Sequence, residues 1–275
     1  MDLNTITEVV RPQAREQLPV WTAGDAWLAG GTWLFSEPQV HLTRLIDLTD
    51  LKWPALTVGD DSLTIAATCT VAELDAFPCP PEWIASPLIN QCCRAFLASF
   101  KIWKTATVGG NICMSLPAGP MISLTTALDG ICTIWSADGS ERKIAVAEFV
   151  IGNNRNVLAR GDLLRAIELP LAALKRRTAF RQISLAPLGR SAALLIGSVT
   201  SEGGLALTVT ASTVRPVQFS FPAIPAAGEL QEILLQGIAE RAWHNDVHGK
   251  PAWRKHMTLR LAEEIRAELQ GGARA

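Results

Sequence analysis

The stretch KTATVGGNICMSLPAGPMISLTTALDG, residues 104–130, places two adjacent glycines after a β-branched run and follows them with a Pro-Ala-Gly-Pro bend. A second glycine pair lies far upstream, in AWLAGGTWLF, residues 26–35, and also follows an apolar run. A diphosphate needs several backbone N–H donors at close range, and glycine removes the side chain that would keep its oxygens away. The two stretches therefore raise the hypothesis that two distant glycine turns bind one ligand.

Each glycine pair is followed by a polar residue that suits the start of a helix, Thr32 in the first stretch and Asn111 in the second. Unpaired amides and the dipole at a helix N-terminus stabilise an anion by about 0.3–1 kcal/mol at an exposed site. The alternative reading is two ordinary turns. Neither stretch contains G-x-G-x-x-G or G-x-x-x-x-G-K-[ST], so a nucleotide site here requires a different fold.

Composition describes a folded chain that is long enough for two domains. Of its 275 residues, 48% are apolar and 19% are charged. The formal net charge of -1 provides no basic excess for nucleic acid or an anionic membrane. A mean hydropathy of +0.20 hints at apolar surface covered by another subunit.

The beginning of the chain and its cysteines indicate the compartment. MDLNTITEVVRPQ lacks the basic and apolar regions of an export signal, and no apolar run approaches the length of a membrane span. These features predict a cytoplasmic protein without a membrane partner. The cysteines form no C-x-x-C pair and are predicted to be buried and reduced rather than metal-binding; they are Cys69, Cys79, Cys92, Cys93, Cys113 and Cys132.

The first half of the chain alternates strand and helix patterns. Residues 25–48 fit a strand, a glycine turn, a short helix and a second strand, which together make a small βαβ-like unit. Thr70 and Glu73 form a capping box after a predicted strand. A helix is predicted to open at Ser86 and Pro87, with an apolar stripe that continues to Leu97 and Phe100.

The later segments predict antiparallel strands followed by helices. ICTIWSADGSERKIAV fits a hairpin with a turn at Asp138 and Gly139, and DLLRAIELP fits a strand that ends at Pro170. A basic change in composition places a domain boundary near 175. Beyond it, two strands and then helices at about 229–243 and 252–269 suggest a separate α+β layer.

Several motifs resemble, in order, the FAD-binding medium subunits of molybdenum hydroxylases of the carbon monoxide dehydrogenase and xanthine dehydrogenase type. They are LAGGTWL…RLIDL, LTIAATCTVAELD, the stretch at 104–130, NVLARGDLLRAIELP and HNDVHGKPAWRKHM. The resemblance implies an α+β chain whose residues 1–174 form an FAD-binding domain of the vanillyl-alcohol-oxidase/PCMH type. This domain would consist of two subdomains, at about 1–56 and 57–174. It also implies a C-terminal α+β domain at 175–275, an antiparallel sheet with helices.

By this resemblance, both glycine segments wrap the FAD diphosphate. Ser115 is expected near the ribityl chain or flavin, Leu158 as an apolar contact, and Arg181 as a cation beside the flavin ring. Related flavin oxidases attach FAD covalently to a histidine directly after the first glycine turn. None of the four histidines here stands at that place, so FAD is expected to be non-covalent. The implied cofactor-binding residues are Leu28, Ala29, Gly30, Gly31, Thr32, Trp33, Leu34, Thr107, Val108, Gly109, Gly110, Asn111, Ser115, Leu158 and Arg181.

The implied function is that of an electron-transfer subunit. Its FAD takes electrons from an iron–sulfur subunit and passes them to an external acceptor, while the molybdenum cofactor is held by a further subunit. The family often has acidic residues where Trp33 and Pro120 stand here. Because of this departure, a cofactor-poor scaffold subunit remains an alternative. A stand-alone flavin oxidoreductase of the same superfold is a second alternative, but no residue pattern indicates the catalytic acid or base that it would need.

Overall fold

A computed structural model describes residues 3–271, so residues 1–2 and 272–275 at the ends of the two predicted domains lie outside the described residues. The first sheet is parallel, with strand order β1-β3-β2. Its strands are β1 Glu8–Val10, β2 Asp25–Leu28 and β3 Arg44–Asp47. The parallel pairing of β2 with β3 confirms the predicted βαβ-like arrangement of strands.

The short helix predicted between β2 and β3 is wrong. Residues 32–36 form turns, with one helix-like hydrogen bond from the Phe35 amide to the Gly31 carbonyl at 2.9 Å. Gly31 has a left-handed φ of +68°, and Pro38 follows shortly afterwards. A left-handed start and a nearby proline prevent further helical turns.

The central sheet is antiparallel, in the order β4-β5-β10-β6-β7, and a short strand pair, β8 with β9, lies beside it. The strands are β4 Leu56–Val58, β5 Ser62–Ala66, β6 Ile131–Trp135, β7 Glu141–Ala145, β8 Val150–Gly152, β9 Arg155–Asn156 and β10 Leu163–Pro170. The predicted β6–β7 hairpin is confirmed, with Gly139 at φ +87° in its turn.

Helices cover the central sheet. They are α1 Val71–Asp75, α2 Ser86–Ala95, α3 Phe100–Trp103, α4 Val108–Met114, α5 Pro120–Ala127, α6 Val146–Phe149 and α7 Leu171–Leu174. The capping box of α1 is confirmed. The predicted stripe of α2 is wrong at its end, because the helix stops at Ala95 and leaves Leu97 and Phe100 exposed by 46% and 69%.

The C-terminal sheet is antiparallel in the order β11-β12-β13-β14. Its elements are β11 Thr178–Ile183, β12 Ala193–Val199, β13 Leu205–Thr210, β14 Val217–Phe221, α8 Ala227–Gly237 and α9 Pro251–Gly271. The basic residues Lys175, Arg176 and Arg177 at the predicted boundary lie in the connection between α7 and β11. Within residues 3–271, no helix has the length and apolar character needed to cross a membrane.

The two faces of β12 pack in opposite directions. Leu195 packs in one core with Ile265 of α9, whereas Leu194 and Ile196 join the main core that contains the helices of the central sheet. Every residue of α5 is buried, and its Ser123 hydroxyl lies 2.7 Å from the Thr210 hydroxyl of β13. The C-terminal sheet is therefore sandwiched between α5 and α9, and the domain division near 175 stays a prediction.

Candidate functional site

A cleft of about 440 Å³ brings the two glycine segments together. A Cβ atom at Gly30 would collide with the carbonyl oxygen of Thr105 and lie 3.3 Å from the Cα of Ala106, so only glycine lets the two segments touch. The residues predicted from sequence that line the cleft are Ala29, Gly30, Gly31, Thr32, Trp33, Leu34, Thr107, Gly110 and Asn111.

The first glycine segment presents backbone donors to this cleft. Within residues 3–271, no amide from Gly30 to Leu34 donates a hydrogen bond to another residue. The left-handed φ of Gly31 turns successive amides in the way that anion-binding loops do. An anion in the cleft would supply the acceptors that these amides lack.

The second glycine pair behaves differently from the expectation. Gly109 and Gly110 lie inside the first turn of α4 rather than in a turn before it, and their amides are already bonded. The Val108 and Gly109 amides donate to carbonyls within residues 67–69, at 2.8 and 3.0 Å, and the Gly110 amide donates to the Thr107 hydroxyl at 3.0 Å. The N-terminus of α4 therefore offers the cleft few free donors.

Asn111 contributes from its side chain instead. Its Oδ1 accepts a hydrogen bond from the Met121 amide at 3.1 Å and so caps α5, whereas its NH₂ group has no partner among the described residues. Pro120 is buried at the start of α5, where a missing N–H is tolerated. Pro120 therefore does not line the cleft, and Asn111 supplies the cap of α5.

The charge of the cleft suits an anion. Among the described residues that line it, Arg190 is the only charged side chain, and no carboxylate lines it. Burial raises the pKa of the Cys113 thiol to about 12, so this group is neutral at physiological pH. The cleft can hold a negative group but has no acid or base suited to proton transfer.

Further lining residues were not singled out from the sequence; they are Trp27, Phe96, Leu97, Ala98, Ile102, Ala106, Cys113, Met114, Leu116 and Arg190. Phe96 and Leu97 belong to the cleft because α2 stops before them. The Trp27 indole is fixed by donation to the Asp162 carbonyl at 2.9 Å. The apolar spacing continues through Phe96 and Leu97 to Phe100, so no local sequence signal marks the end of α2 or identifies this wall.

Some predicted site residues lie outside the cleft: Leu28, Val108, Gly109, Ser115, Leu158 and Arg181. Ser115 is fully buried at φ +52°, and its hydroxyl donates to the Ile112 carbonyl at 2.9 Å and accepts from Asn156 at 3.3 Å. Leu158 is partly buried against the main core. Both side chains are therefore engaged in packing in this structure.

Arg181 lies on the other side of the C-terminal sheet from the cleft. Successive residues of a strand face opposite sides, and the neighbouring Phe180 packs against the main core, so Arg181 faces α9. There its guanidinium pairs with Glu264 at 3.1 Å and Glu268 at 2.6 Å. The structure thus places Arg190, not Arg181, at the cleft.

The six cysteines are unpaired; Cys79 and Cys113 are partly buried and the others are fully buried. In the part of the chain that the structure describes, no group of three His, Cys, Asp or Glu residues could hold a metal ion.

The fold and cleft define an α+β protein with an open cleft between two glycine segments, and the charge of that cleft suits an anionic group. The family described as "FAD binding domain in molybdopterin dehydrogenase" matches residues 7–172. The chain belongs to this family, which confirms the recognition made from the motifs. Its cofactor is therefore FAD, as predicted.

The chain is also similar to one relative in sequence and to solved structures in fold. The chain is 27% identical over 180 residues to caffeine dehydrogenase subunit beta of Pseudomonas sp. strain CBB1, covering 63% of this chain but 59% of that protein. Quinoline 2-oxidoreductase from Pseudomonas putida 86 is similar with a TM-score of 0.80, 17% identity and 100% of each chain covered.

Carbon monoxide dehydrogenase from Oligotropha carboxidovorans has a TM-score of 0.78 and 20% identity, with 97% of this chain and 99% of that chain covered. At these identities the structural similarity shows the fold, and it confirms the predicted α+β architecture.

Proposed function

We propose that this chain is the FAD-carrying electron-transfer subunit of a multi-subunit molybdenum hydroxylase, and that it passes electrons from iron–sulfur clusters of a partner subunit to an external acceptor. The observation that carries the proposal is the cleft itself. It joins the unbonded amides of Gly30–Leu34 to Arg190, and no carboxylate of the described residues lines it. Bound FAD would supply the redox chemistry.

The chain's own residues would bind and shield the cofactor. The amides of Gly30–Leu34, the Thr32 hydroxyl and the Asn111 NH₂ group are the donors for a diphosphate. Apolar side chains on the opposite wall, including Phe96 and Ile102, would exclude water from an aromatic ring. Arg190 supplies the positive charge that favours an anionic ligand.

The alternatives have less support. If the chain were a cofactor-poor scaffold, we would expect side chains to fill the cleft. Instead the cleft is open, with a volume of about 440 Å³. Trp33, one of the residues that suggested that alternative, stands at the cleft with 38% of its surface exposed. A stand-alone oxidoreductase requires an acid or base for its substrate, and none lines the cleft among residues 3–271.

Partner subunits are supported by the surface beside the cleft. Trp33, Phe35, Leu97 and Phe100 expose between 38% and 69% of their surface there, and such apolar exposure is typical of a protein interface. We propose that the iron–sulfur and molybdenum subunits complete this assembly. The six unpaired cysteines support a reducing compartment, the cytoplasm.

The test is to purify the full chain and measure its absorption spectrum and its FAD content before and after incubation with FAD. We expect about one FAD per chain, released into the supernatant by acid because no covalent bond holds it. A folded chain that neither carries nor takes up FAD would overturn the proposal. Co-purification from the native cell, with iron and molybdenum analysis, tests the partner subunits separately.

A further inference from the structure

A second cavity, of about 180 Å³, lies where the FAD-binding part meets the C-terminal sheet. The walls are formed by residues 116–118, 153–154, 190–191 and 244–246, together with Ala211 and Arg254. No predicted site residue and no part of the family motif at the glycine segments accounts for it. The cavity has a polar lining that includes Ser191, Asp246 and Arg254.

Arg254 forms one wall and is committed to the fold. The residue is 1% exposed, and its guanidinium donates to the carbonyls of Gly249 at 2.9 Å, Ala192 at 2.6 Å and Ala211 at 2.7 Å. It also pairs with the Asp246 carboxylate. This buried arginine ties the start of α9 to the C-terminal sheet and is neutralised by Asp246.

The Asp246 carboxylate is committed as well. It accepts hydrogen bonds from the His248 amide at 2.8 Å and from the His244 ring at 3.1 Å, besides those from Arg254. Burial lowers the pKa of His244. The positive charges of Arg254 and Arg190 lower it further, whereas the Asp246 carboxylate raises it. The net shift is downward, so the imidazole is neutral at pH 7. The one carboxylate of the wall therefore has little capacity left to repel an anion.

Other groups on the wall have no partners. Ser191 is 2% exposed, and its hydroxyl has no hydrogen-bond partner in the described part of the chain. Within residues 3–271, Arg190 forms no ion pair, and the side-chain amides of Asn153 and Asn245 make no hydrogen bond. Because the Ser191 hydroxyl has no protein partner among residues 3–271, it is free to donate a hydrogen bond to a water or an ion in the cavity.

We propose that this cavity binds a small oxyanion, inorganic or carboxylate, between the Arg190 guanidinium and the Ser191 hydroxyl. With Arg254 and Asp246 neutralising each other, the wall keeps the single positive charge of Arg190. Arginine is suited to planar or tetrahedral oxyanions because its N–H groups can donate in parallel. A volume of about 180 Å³ accommodates such an ion but lies below the roughly 300–1,000 Å³ of sites for larger organic ligands.

The position of the cavity links it to the FAD cleft. Leu116 and Arg190 line both cavities. Among the described residues, Arg190 is the only charged side chain of the cleft. An oxyanion here would neutralise it and so reduce the positive potential at that end of the cleft. The oxyanion site itself does not depend on the proposed electron-transfer role.

The test is isothermal titration of the full-length chain with phosphate, nitrate and formate in separate experiments at constant ionic strength, with and without saturating FAD. We expect one saturable site that persists when FAD is bound. Comparison of the three ions identifies which oxyanion geometry the site prefers. Flavin absorbance, recorded in parallel, reports FAD binding independently of the oxyanion result.

The variants are Arg190→Gln, Ser191→Ala and, as matched control, Arg155→Gln, which removes an exposed positive charge near the cavity without touching its wall. We expect affinity to fall at least about tenfold in the first variant and about fivefold in the second, with the control within about twofold. Circular dichroism verifies folding of each variant. Absence of saturable binding, loss of binding when FAD is added, or equal weakening by the control would overturn the proposal.

Discussion

The two glycine segments of the cleft share a dipeptide but differ in what their backbone does. The amides from Gly30 to Leu34 have no partner in the described chain, whereas those of Val108, Gly109 and Gly110 are all bonded within the protein. The first segment is thus built to bind an external acceptor. The second brings α4 close to the strand-end segment beneath it, where the Gly109 amide meets the Ala67 carbonyl at 3.0 Å.

This difference shows that a glycine pair before a helix has two separable uses. One use is to expose amides, and the other is to let two backbones touch. If the comparison is right, substitutions in the second segment reduce stability first, while those in the first segment reduce FAD affinity first.

The largest effect is expected for Gly109→Val. An added Cβ would lie 2.6 Å from the Cα of Ala67. Because the clash is with the backbone, it can be relieved only if α4 moves away from Ala67. We expect a loss of about 3 kcal/mol in the free energy of unfolding, measured by urea denaturation without FAD. Gly110→Ala is the control, because its Cβ would approach only the Thr107 hydroxyl, at 2.9 Å. Equal losses in both variants would refute the packing role.

Gly30→Ala tests the contact between the segments. Its Cβ would collide with the Thr105 carbonyl and push the two sides of the cleft apart. We expect FAD affinity, measured by flavin fluorescence titration, to fall about 100-fold, which corresponds to about 2.7 kcal/mol. Gly228→Ala is the matched control, since a Cβ there has no neighbour within 4 Å. Unchanged affinity in a folded Gly30→Ala protein would contradict this geometry.

Low pH should reduce the stability of the fold around the first glycine segment through Asp25, the first residue of the preceding strand β2. Its buried carboxylate accepts from the Arg44 guanidinium at 2.6 Å, and this hydrogen bond lowers its pKa below 3.8. The pair therefore stabilises the fold above about pH 4 and loses this contribution as the pH falls through the lowered pKa.

The variant Asp25→Asn should lose about 2 kcal/mol of stability at pH 7 and show a flatter decline in stability between pH 5 and pH 3. The measurement is urea denaturation across this pH range. Glu8→Gln, which removes an exposed carboxylate 3.9 Å from Arg44, serves as control. An unchanged pH profile in Asp25→Asn would show that the pair does not contribute.

The smallest effect is expected for Thr107→Val. The Thr107 hydroxyl accepts from the Gly110 amide at 3.0 Å, so its removal should reduce stability by about 1 kcal/mol. FAD affinity should change less than about threefold, because the amide is directed at the protein. Thr107→Ser should restore the stability measured by thermal denaturation. A large loss of FAD affinity with unchanged stability would show that Thr107 binds the cofactor directly.

Local patterns of the sequence predicted much of the fold. The capping box at Thr70, the hairpin turn at Gly139 and the parallel pairing of β2 with β3 follow from residue chemistry over short distances. The end of α2 was not predictable in the same way. Apolar spacing continues to Phe100, yet that residue is exposed because α2 stops at Ala95.

The cleft was predictable in its location but less so in its chemistry. The motifs selected both glycine segments, and the structure brings them together. Which amides are free depends on contacts between distant segments, such as the Gly109 amide with the Ala67 carbonyl. Likewise, the choice between Arg181 and Arg190 depends on which side of β11 faces α9, which a motif match does not encode.

The burial of α5 limits how the protein can be shortened. The family match ends at residue 172, which makes that position an obvious truncation point for recombinant expression. Such a fragment would leave Ser123 without Thr210 and expose a helix that has no polar face. The Asn111 cap on Met121 would then transmit the disturbance to the cofactor side. We therefore expect the FAD-binding part not to fold by itself, and a truncated version should aggregate.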